Sequence, residues 1–258
     1  MNVVRDEKET VVLIHGLSET RDAWSRQVEA LRPSMNVLAY DIRGFGSSPT
    51  GAADGTVGQM ADDLAQLISA FAAGPVWLVG FSMGGVISQR FALDFPELAK
   101  GLVLIASSCA VGRGGVAFFN ERIEAVETGG LKSLADTNDT DARGCFWTDD
   151  DALIAQYKRI RIGAVQDPRG YLNACHAMLG IAAEPLTGQI AEIRKPTLVI
   201  SGKHDPYCPP KASRMISNAI PGAKHLEIAD RGHCLQFEAS DILNKHIADF
   251  VRTNSHHE

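Results

Sequence analysis

Ser82 stands between two glycines in the segment Gly80-Phe81-Ser82-Met83-Gly84. A serine hydroxyl is a weak nucleophile at neutral pH unless a neighbouring base takes its proton. The residues before this serine predict a buried strand, and those after it predict the first turn of a helix. A sharp turn at that junction exposes the hydroxyl, and small flanking residues let the backbone pass closely. The segment therefore predicts a nucleophilic serine; the alternative is a glycine-rich strand–helix connection without chemistry.

The base and the acid that such a serine needs are expected further along the chain. His233 closes the segment Asp230-Arg-Gly-His233 after a predicted strand, where it can take the serine proton and pass it to the leaving group. Asp205 follows the preceding predicted strand and can hold the imidazole in one tautomer. The carboxyl ends of parallel strands meet at one edge of a sheet, where sites on open α/β sheets form. The order along the chain predicts a triad of Ser82, Asp205 and His233.

Other residues compete for these roles. Asp230, three residues before His233, is a second candidate for the acid, although support of its own loop is the favoured interpretation. The chain has eight histidines, and most are expected to be solvated. His204 is expected to be an exposed loop residue despite its position beside Asp205.

The segment His15-Gly16-Leu17 directly follows the first predicted strand. This placement brings a backbone N–H beside the serine turn. The N–H groups of Leu17 and Met83 are therefore predicted to stabilise the negative oxygen that forms when a serine attacks a carbonyl. At Met83 the positive end of a helix dipole adds to this effect. His15 is expected to support the loop by hydrogen bonding rather than to act as a base.

The strands that carry these loops are predicted from short β-branched runs bounded by glycine or aspartate. They cover Thr10–Ile14, Asn36–Tyr40, Val76–Val79, Leu102–Ala106, Thr197–Ser201 and His225–Ala229. Amphipathic helical patterns alternate with the strands. The clearest are Val57–Phe71, Met83–Phe95 and Ala239–Val251. This alternation predicts an α/β fold with a mostly parallel sheet flanked by helices on both faces.

One long interval breaks the alternation. From Ser108 to about Leu186 the sequence has helical patterns but no predicted strand. The candidate helices are Phe118–Glu127, Leu131–Asp136, Asp150–Ile162 and Pro168–Leu179. The interval is too long for a loop, so it is interpreted as a helical cap inserted over the strand ends. The predicted domains are an α/β core of residues 1–107 and 187–258 and a helical cap of residues 108–186.

Composition limits the possible partners and compartments. The chain has 258 residues, 45% hydrophobic and 22% charged, which is typical of a globular protein with a sizeable core. Its net charge of −6 gives no general attraction to nucleic acid or to anionic membranes, so neither is an expected partner. No run approaches the ~18 apolar residues of a membrane span, and Met1–Glu9 is too short and charged for a signal peptide. Five cysteines, without a Cys-x-x-Cys, predict free thiols in a reducing cytoplasm and neither disulfides nor zinc.

Taken together, these residues resemble the α/β-hydrolase superfamily. The resemblance spans His15-Gly16, Asp41-Ile-Arg-Gly-Phe-Gly-Ser47, the Ser82 turn, Asp205 and His233, which covers essentially the whole core. Segments 119–131, 146–148, 157–159 and 167–175 look like the cap of 3-oxoadipate enol-lactonases, and so do the turn Gly-x-Ser-Met-Gly-Gly and the pair Pro209-Pro210. The resemblance implies an α/β-hydrolase fold in which the loop after the second strand shapes the core without direct chemistry.

The expected reaction is hydrolysis of a carboxylic ester or lactone through an acyl-enzyme on Ser82, which needs no metal or organic cofactor. Two alternatives keep the triad: carbon–carbon bond hydrolysis of aromatic ring-fission products, and cofactor-free perhydrolase activity. A third alternative is a ligand receptor or partner-binding module with little catalysis, against which the intact Ser-Asp-His order argues. The expected partner is a small-molecule substrate, and a homo-oligomer stays open.

The cap is expected to decide the substrate. The candidate pocket residues are Trp24, Phe81, Phe146, Trp147, Arg161, His176 and Met178. Aromatic residues in a cap more often serve packing, and a packing or surface role is favoured for His176. The cap cations are expected on solvated helix faces, and the alternative is that one of them binds a substrate carboxylate. These cations are Arg143, Lys158, Arg159, Arg161 and Arg169.

Overall fold

A computed structural model describes residues 8–72 and 74–255 of the chain. Within this part, six parallel strands form one sheet in the order β2-β1-β3-β4-β5-β6. The strands are β1 Thr10–Ile14, β2 Asn36–Tyr40, β3 Val76–Phe81, β4 Ala99–Ile105, β5 Thr197–Gly202 and β6 Lys224–Ile228. Because all strands are parallel, the loops that follow them emerge at one edge of the sheet.

The central strands are apolar on both faces because both faces are covered. In β1, Val12 and Ile14 belong to one hydrophobic cluster, whereas Val11 and Leu13 belong to another. All four side chains are fully buried. Successive side chains of a strand point to opposite faces, so the two clusters lie on the two sides of the sheet. The predicted parallel sheet with helices on both faces is confirmed.

The helices supply the apolar surfaces that cover the sheet. In the described residues they are α1 Ser25–Leu31, α2 Val57–Phe71, α3 Met83–Asp94, α4 Arg113–Gly129, α5 Leu131–Gly144, α6 Asp151–Ala164, α7 Pro168–Ala183, α8 Pro210–Ala219, α9 Leu235–Glu238 and α10 Ser240–Asn254. Helices α2, α3 and α8 contribute to the first cluster, and α1, α9 and α10 contribute to the second. Thr56, Asp150 and Asp167 cap α2, α6 and α7 by accepting first-turn backbone N–H groups.

Several boundaries differ from those that the sequence predicts. β3 continues to Phe81 because this residue pairs with Ile105. β4 begins at Ala99 rather than Leu102, since Ala99 pairs with Val76, and the lysine and glycine that follow Ala99 hide this start from the apolar pattern. Strand β6 is shifted by one residue, and α10 continues to residue 254. The sequence predicts no bounds for α1, α8 and α9.

The interval between β4 and β5 is helical, as predicted. It contains α4 to α7, which we call the helical insertion (residues 113–183), and every residue of it is described. The insertion meets the core closely where Gly170 of α7 lies against Gly44. A Cβ on Gly170 would come 2.4 Å from the Gly44 carbonyl oxygen, so the contact requires a glycine. The division into a core of residues 1–107 and 187–258 and a cap of residues 108–186 stays a prediction.

Three further observations concern the cysteines, the helices and the metal-ligating side chains. All five cysteines are free thiols in the structure. No helix within residues 8–72 or 74–255 combines the length and the apolar character needed to cross a bilayer. In the same part of the chain, no three or more His, Cys, Asp or Glu side chains gather as a metal site would require.

Candidate active site

Ser82 occupies the turn between β3 and α3, at the sheet edge where the strands end. Its backbone has φ 51° and ψ −116°, a conformation that residues with a side chain rarely adopt. Hydrogen bonds hold the turn: the Ser82 N–H donates to the Ile105 carbonyl at 2.9 Å, and the Ser107 hydroxyl donates to the Ser82 carbonyl at 2.8 Å. Such a backbone costs of order 1–3 kcal/mol and is typically retained where function needs it.

Glycines allow the backbone to pack tightly around this turn. A Cβ on Gly80 would lie 2.3 Å from the Gly84 carbonyl oxygen, and one on Gly84 would lie 2.2 Å from the Ile14 carbonyl oxygen. Gly16 also lies against the turn, since a Cβ there would come 3.3 Å from the Cβ of Ser82. The loop after β1 therefore lies directly beside the serine, where the predicted oxyanion donors would have to be.

His15 supports that loop. Its Nε2 accepts the Ile42 N–H at 2.9 Å, and its Nδ1 donates to the Gly16 carbonyl at 2.8 Å. Burial lowers the pKa of His15 to about 4, although the Gly16 carbonyl and the Asp41 charge oppose this shift. The ring is therefore neutral at neutral pH, and its two hydrogen bonds agree with the predicted supporting role.

Asp205 and His233 lie on the loops after β5 and β6 and are hydrogen-bonded to each other. Nδ1 of His233 lies 2.8 Å from Oδ2 of Asp205, and both side chains are buried. The other carboxylate oxygen, Oδ1, accepts the N–H groups of Tyr207 at 2.8 Å and Cys208 at 2.9 Å. Because a carboxylate only accepts, the imidazole proton lies on Nδ1 and the lone pair of Nε2 is free to act as a base.

The surroundings of His233 favour its charged form. Burial lowers the pKa of His233, but the charge and hydrogen bond of Asp205, together with smaller contributions of Cys145 and Glu19, raise the pKa above its usual value. The His233 ring lies 4.8 Å from the ring of Phe81, measured between centroids, which places it beside the serine turn. Among the described residues, no hydrogen bond joins the Ser82 hydroxyl to Nε2 of His233. Catalytic hydrogen bonds are often long before substrate binds.

Asp230, the second candidate for the acid, points elsewhere. Its side chain is 76% exposed and lies 3.8 Å from Nε2 of His204. The residue has a positive φ of 53°, which fits a tight turn in its own loop. The hydrogen-bonded partner of His233 is Asp205 rather than Asp230.

Two of the predicted pocket residues lie on the surface. Trp147 is 53% exposed and stacks on His204, with ring centroids 3.6 Å apart. His176 is exposed on α7, and its Cβ lies beside Gly55 in the loop before α2. A place in the pocket stays a prediction for both residues, and these surroundings do not favour it.

Three other candidates are packed in the interior. Trp24 is fully buried in the second cluster, and Met178 is buried in the first. Phe146 is partly buried and packs edge-on against Tyr157, with centroids 5.6 Å apart. Their packing agrees with the interpretation that large apolar side chains near a cap serve its core.

Arg161 does not lie on a solvated helix face. Its side chain is 13% exposed, and its guanidinium carbon lies 5.6 Å from the centroid of the Tyr157 ring. Nη2 lies 3.1 Å from Oδ2 of Asp141, and Nε donates to Asn138 at 3.2 Å. Arg122 also pairs with Asp141. Two guanidinium groups thus share one carboxylate, which leaves one excess positive charge in a partly buried cluster. The expectation of a solvated position is wrong for Arg161.

The other cations of the insertion agree with the expectation of solvated faces. The side chains of Arg143 and Arg169 are 51% and 76% exposed, respectively. Arg159 is also exposed, and Lys158 is partly exposed and pairs with Asp139. Arg161 is therefore distinguished from its neighbours by its burial.

Glu238 is a structural element of the site that the sequence does not reveal. Its Oε1 accepts the Trp147 N–H at 2.8 Å, and its Oε2 accepts the Gly232 N–H at 2.7 Å. The N–H of His233 itself donates to the Cys145 carbonyl at 2.8 Å. The connection between α5 and α6 is thus fastened to the loop that carries His233. A glutamate beside apolar helical residues normally indicates a solvent-facing position, so no pattern marked this role.

Comparison with known proteins gives relatives over nearly the whole length. The chain is 26% identical over 252 residues to "Putative carbamate hydrolase RutD" of Pantoea ananatis, covering 97% of this chain and 91% of that protein. It is 27% identical over 247 residues to a poly(3-hydroxyalkanoate) depolymerase of Ectopseudomonas oleovorans, covering 94% and 84%. The fold is similar to the crystal structure of the enol-lactonase from Burkholderia xenovorans LB400, with a TM-score of 0.85, 27% identity, and coverage of 95% of this chain and 92% of that one.

One family of proteins matches the part of the chain that contains both the sheet and the candidate active site. The sequence model of the alpha/beta hydrolase fold matches residues 9–240. This range includes all six strands of the described sheet, the helical insertion, Ser82, Asp205 and His233. The resemblance drawn from the sequence, including the likeness to an enol-lactonase, is confirmed. The chain belongs to the alpha/beta hydrolase fold family.

Proposed function

We propose that this protein hydrolyses carboxylic esters or lactones through an acyl-enzyme formed on Ser82. The observation that carries the proposal is the 2.8 Å hydrogen bond between His233 and Asp205. It lies at the same edge of the sheet as Ser82, whose backbone forms a strained turn. A base held by a carboxylate beside a partly buried serine is the arrangement that activates a hydroxyl for attack on a carbonyl.

In the first half of the reaction, Oγ of Ser82 attacks the substrate carbonyl carbon while Nε2 of His233 takes the hydroxyl proton. The carbonyl oxygen becomes an oxyanion that accepts the N–H groups of Leu17 and Met83. The N–H of Met83 has no partner within α3 because this residue begins the helix. When the carbonyl re-forms, the C–O bond to the leaving group breaks, and His233 gives the proton to that oxygen.

In the second half, water attacks the ester that joins Ser82 to the acyl group. His233 takes a proton from this water and then returns it to Oγ as the acid product leaves. Asp205 stays ionised and stabilises the imidazolium in both halves. The net reaction is the addition of water across one ester bond, and no step needs a further reactant.

The substrate class is supported by the names of relatives. The similar structure is that of an enol-lactonase, and one relative is a depolymerase of poly(3-hydroxyalkanoate), a polymer joined by ester bonds. The third relative is named as a carbamate hydrolase. A carbamate presents a carbonyl with the same geometry of attack, so it is the first alternative substrate to compare.

An acidic substrate is favoured by the cluster of Arg122, Asp141 and Arg161. Its excess positive charge is partly buried, and an anionic group on the substrate would balance it. The guanidinium carbon of Arg122 lies 5.1 Å from the centroid of the Phe118 ring, and the Phe118 ring lies 6.1 Å from the Tyr207 ring, measured between centroids. The Tyr207 ring lies 5.2 Å from the His233 ring, which connects the cluster to the site.

The test compares the purified protein with Ser82→Ala on a short-chain chromogenic ester. We expect the alanine variant to lose at least ~10⁴-fold in kcat, as removal of a triad member does in comparable enzymes. Ser217→Ala, on α8, is the matched control and is expected to keep wild-type turnover. Retained turnover in folded Ser82→Ala would reject the mechanism.

A substrate panel then separates the remaining activities. It includes an enol-lactone, a carbamate, a dienone ring-fission product and a peracid assay. Preferential turnover of the ring-fission product or of peracid would move the assignment to carbon–carbon bond hydrolysis or to perhydrolysis. A folded protein with no turnover at all would favour a ligand receptor. Because all five cysteines are free, we further propose a reducing, cytoplasmic location, which cell fractionation tests.

A further inference from the structure

Glu19 is a fully buried carboxyl that joins three parts of the candidate site. Its Oε2 accepts the Gly16 N–H at 3.1 Å, in the loop that carries the proposed oxyanion donor. Its Oε1 accepts the Tyr157 hydroxyl at 2.8 Å, from α6 of the insertion. The same oxygen accepts the side-chain amide of Gln236 at 3.1 Å, three residues after His233. A buried carboxyl is costly unless hydrogen bonds satisfy it, and here they come from all three parts.

We propose that Glu19 is a positioning residue for the oxyanion hole. It fixes the Gly16 N–H, so that the following peptide directs the Leu17 N–H towards the oxyanion. Because Tyr157 of α6 also donates to Glu19, the orientation of this peptide depends on the position of α6. The proposal rests on the proposed acyl hydrolysis and adds a residue that sets how well the hole is formed.

Hydrogen bonds on both sides of Gly16 fix the loop after β1. His15 holds the Gly16 carbonyl, and Glu19 holds the Gly16 N–H, so both polar groups of one residue are fixed by side chains. Ser18, between Gly16 and Glu19, has a positive φ of 59°, a strained conformation that persists only where surrounding contacts hold it. Because Gly16 also lies against Phe81, its peptide has little room to move once both bonds are made. The orientation of the Leu17 N–H follows from these constraints.

The hydrogen bond to Gly16 persists in either protonation state of Glu19. Burial raises the pKa of Glu19, while the Gly16 N–H, the Tyr157 hydroxyl and the charges of His233 and Arg161 act in the opposite direction. An ionised Oε1 accepts from Tyr157 and Gln236, as observed. A protonated Oε1 can donate to the Tyr157 oxygen. If the Gln236 amide rotates, it can instead donate to the Gln236 oxygen, which is otherwise buried without a partner. In both states Oε2 still accepts the Gly16 N–H.

Two substitutions of similar size separate the hydrogen bond from the volume. Glu19→Gln can keep its oxygen on the Gly16 N–H and direct its NH₂ towards Tyr157 and Gln236, so it replaces the protonated carboxyl. Glu19→Leu fills the space but leaves the Gly16 N–H without an acceptor. Loss of one oxyanion donor costs ~10²–10³ in kcat, and a misplaced donor should cost about 10–100-fold.

The experiment measures kcat, KM and the Ki of an aryl trifluoromethyl ketone, whose adduct with serine places an oxyanion in the hole. For Glu19→Leu we expect kcat to fall about 10–100-fold with KM within about threefold, and Ki to rise by the factor by which kcat/KM falls. The kcat of Glu19→Gln should be at least about tenfold higher than the kcat of Glu19→Leu. Tyr157→Phe, which removes one of the two donors to Oε1, should give a smaller fall of about 3–10-fold. Glu29→Leu on the exposed face of α1 is the control and should match wild type.

A folded Glu19→Leu with wild-type kcat and Ki would overturn the proposal, and so would a glutamine variant as impaired as the leucine variant. If Glu19→Leu does not fold, Glu19→Asp decides, because a shorter carboxylate cannot reach the Gly16 N–H and the Tyr157 hydroxyl together. Its kcat should fall at least about tenfold with KM little changed, and an unchanged kcat overturns the proposal. Failure of the proposed function is distinguishable, since it appears as turnover in Ser82→Ala.

Discussion

Nδ1 of His233 lies 2.8 Å from Oδ2 of Asp205, and Oδ1 of that aspartate is occupied by two backbone N–H groups. The carboxylate is therefore fixed at both oxygens, and it can present only an acceptor to the imidazole. This relationship determines which nitrogen of His233 can face the serine, because the proton on Nδ1 leaves Nε2 unprotonated.

Asp205→Asn should abolish most of the activity without disturbing the fold. The asparagine has the same shape, but its NH₂ would face either His233 or the backbone N–H groups at Oδ1. Turned towards the imidazole, it favours the tautomer that protonates Nε2, so we expect kcat to fall by about 10⁴-fold with an unchanged melting temperature. Steady-state kinetics and thermal unfolding check this outcome. Asp230→Asn, at the exposed aspartate of the same region, should keep wild-type kcat, and equal losses in the two variants would contradict the pairing.

The activity should decrease below neutral pH because His233 must be neutral to act as a base. Burial lowers the pKa of His233, but Asp205, with smaller contributions of Cys145 and Glu19, raises it overall, so protonation begins at a higher pH than for a free histidine. The acid limb of kcat/KM is therefore expected to have its midpoint above about 6.5. In Asp205→Asn, where burial remains and the carboxylate charge is lost, the limb of the residual activity should move to lower pH. A profile measured between about pH 5 and 9 with the midpoint unchanged in the variant would contradict this assignment.

Gly84→Ala should destabilise the protein, whereas Gly180→Ala should not. A Cβ on Gly84 would lie 2.2 Å from the Ile14 carbonyl oxygen, so β1 or α3 must shift, at a cost of about 1–3 kcal/mol. A Cβ on Gly180, in α7, meets nothing within 4 Å, so alanine there should stabilise the helix by about 0.5–1 kcal/mol. Thermal unfolding should show a lower Tm for the first variant and an equal or higher Tm for the second. Equal Tm values for the two would show that the close approach at the serine turn is not required.

Arg161→Ala should impair the use of acidic esters specifically. Asp141 keeps Arg122 as a partner in this variant, so the fold is expected to persist. We expect KM for an aryl ester with a terminal carboxylate to rise about tenfold, equivalent to ~1.4 kcal/mol, and KM for the neutral ester of equal length to stay within about twofold. Arg143→Ala, at an exposed arginine of α5, is the control and should affect neither substrate. Equal changes for acidic and neutral esters would reject a carboxylate-binding role.

The sequence predicts the sheet and the pairing at its edge because both follow from local patterns. β1, β2 and α2 have the predicted bounds, since apolar periodicity and flanking turn residues define them. Asp205 and His233 were predicted from their positions after two strands, and parallel strands bring such positions together. The predicted boundaries of β4 were less accurate because a lysine and a glycine interrupt its apolar pattern.

The contacts between the insertion and the core could not be predicted in this way. Glu19 is buried because Tyr157, 138 residues away, supplies a donor to it. In the sequence it stands in the polar run Ser-Glu-Thr-Arg-Asp, which is typical of an exposed loop. Arg161 likewise appears solvated within its run of cations until α5 places Asp141 against it. Such positions depend on how helices pack, and one sequence does not determine the direction of each helix face.

The most direct test of the central claim is to locate the covalent intermediate. The folded protein is treated with a fluorophosphonate, and its intact mass and peptide map are measured beside those of Ser82→Ala. We expect a single adduct on the peptide that contains Ser82 and no adduct on the alanine variant. An adduct on a different residue, or no adduct on a protein that still turns over an ester, would contradict it.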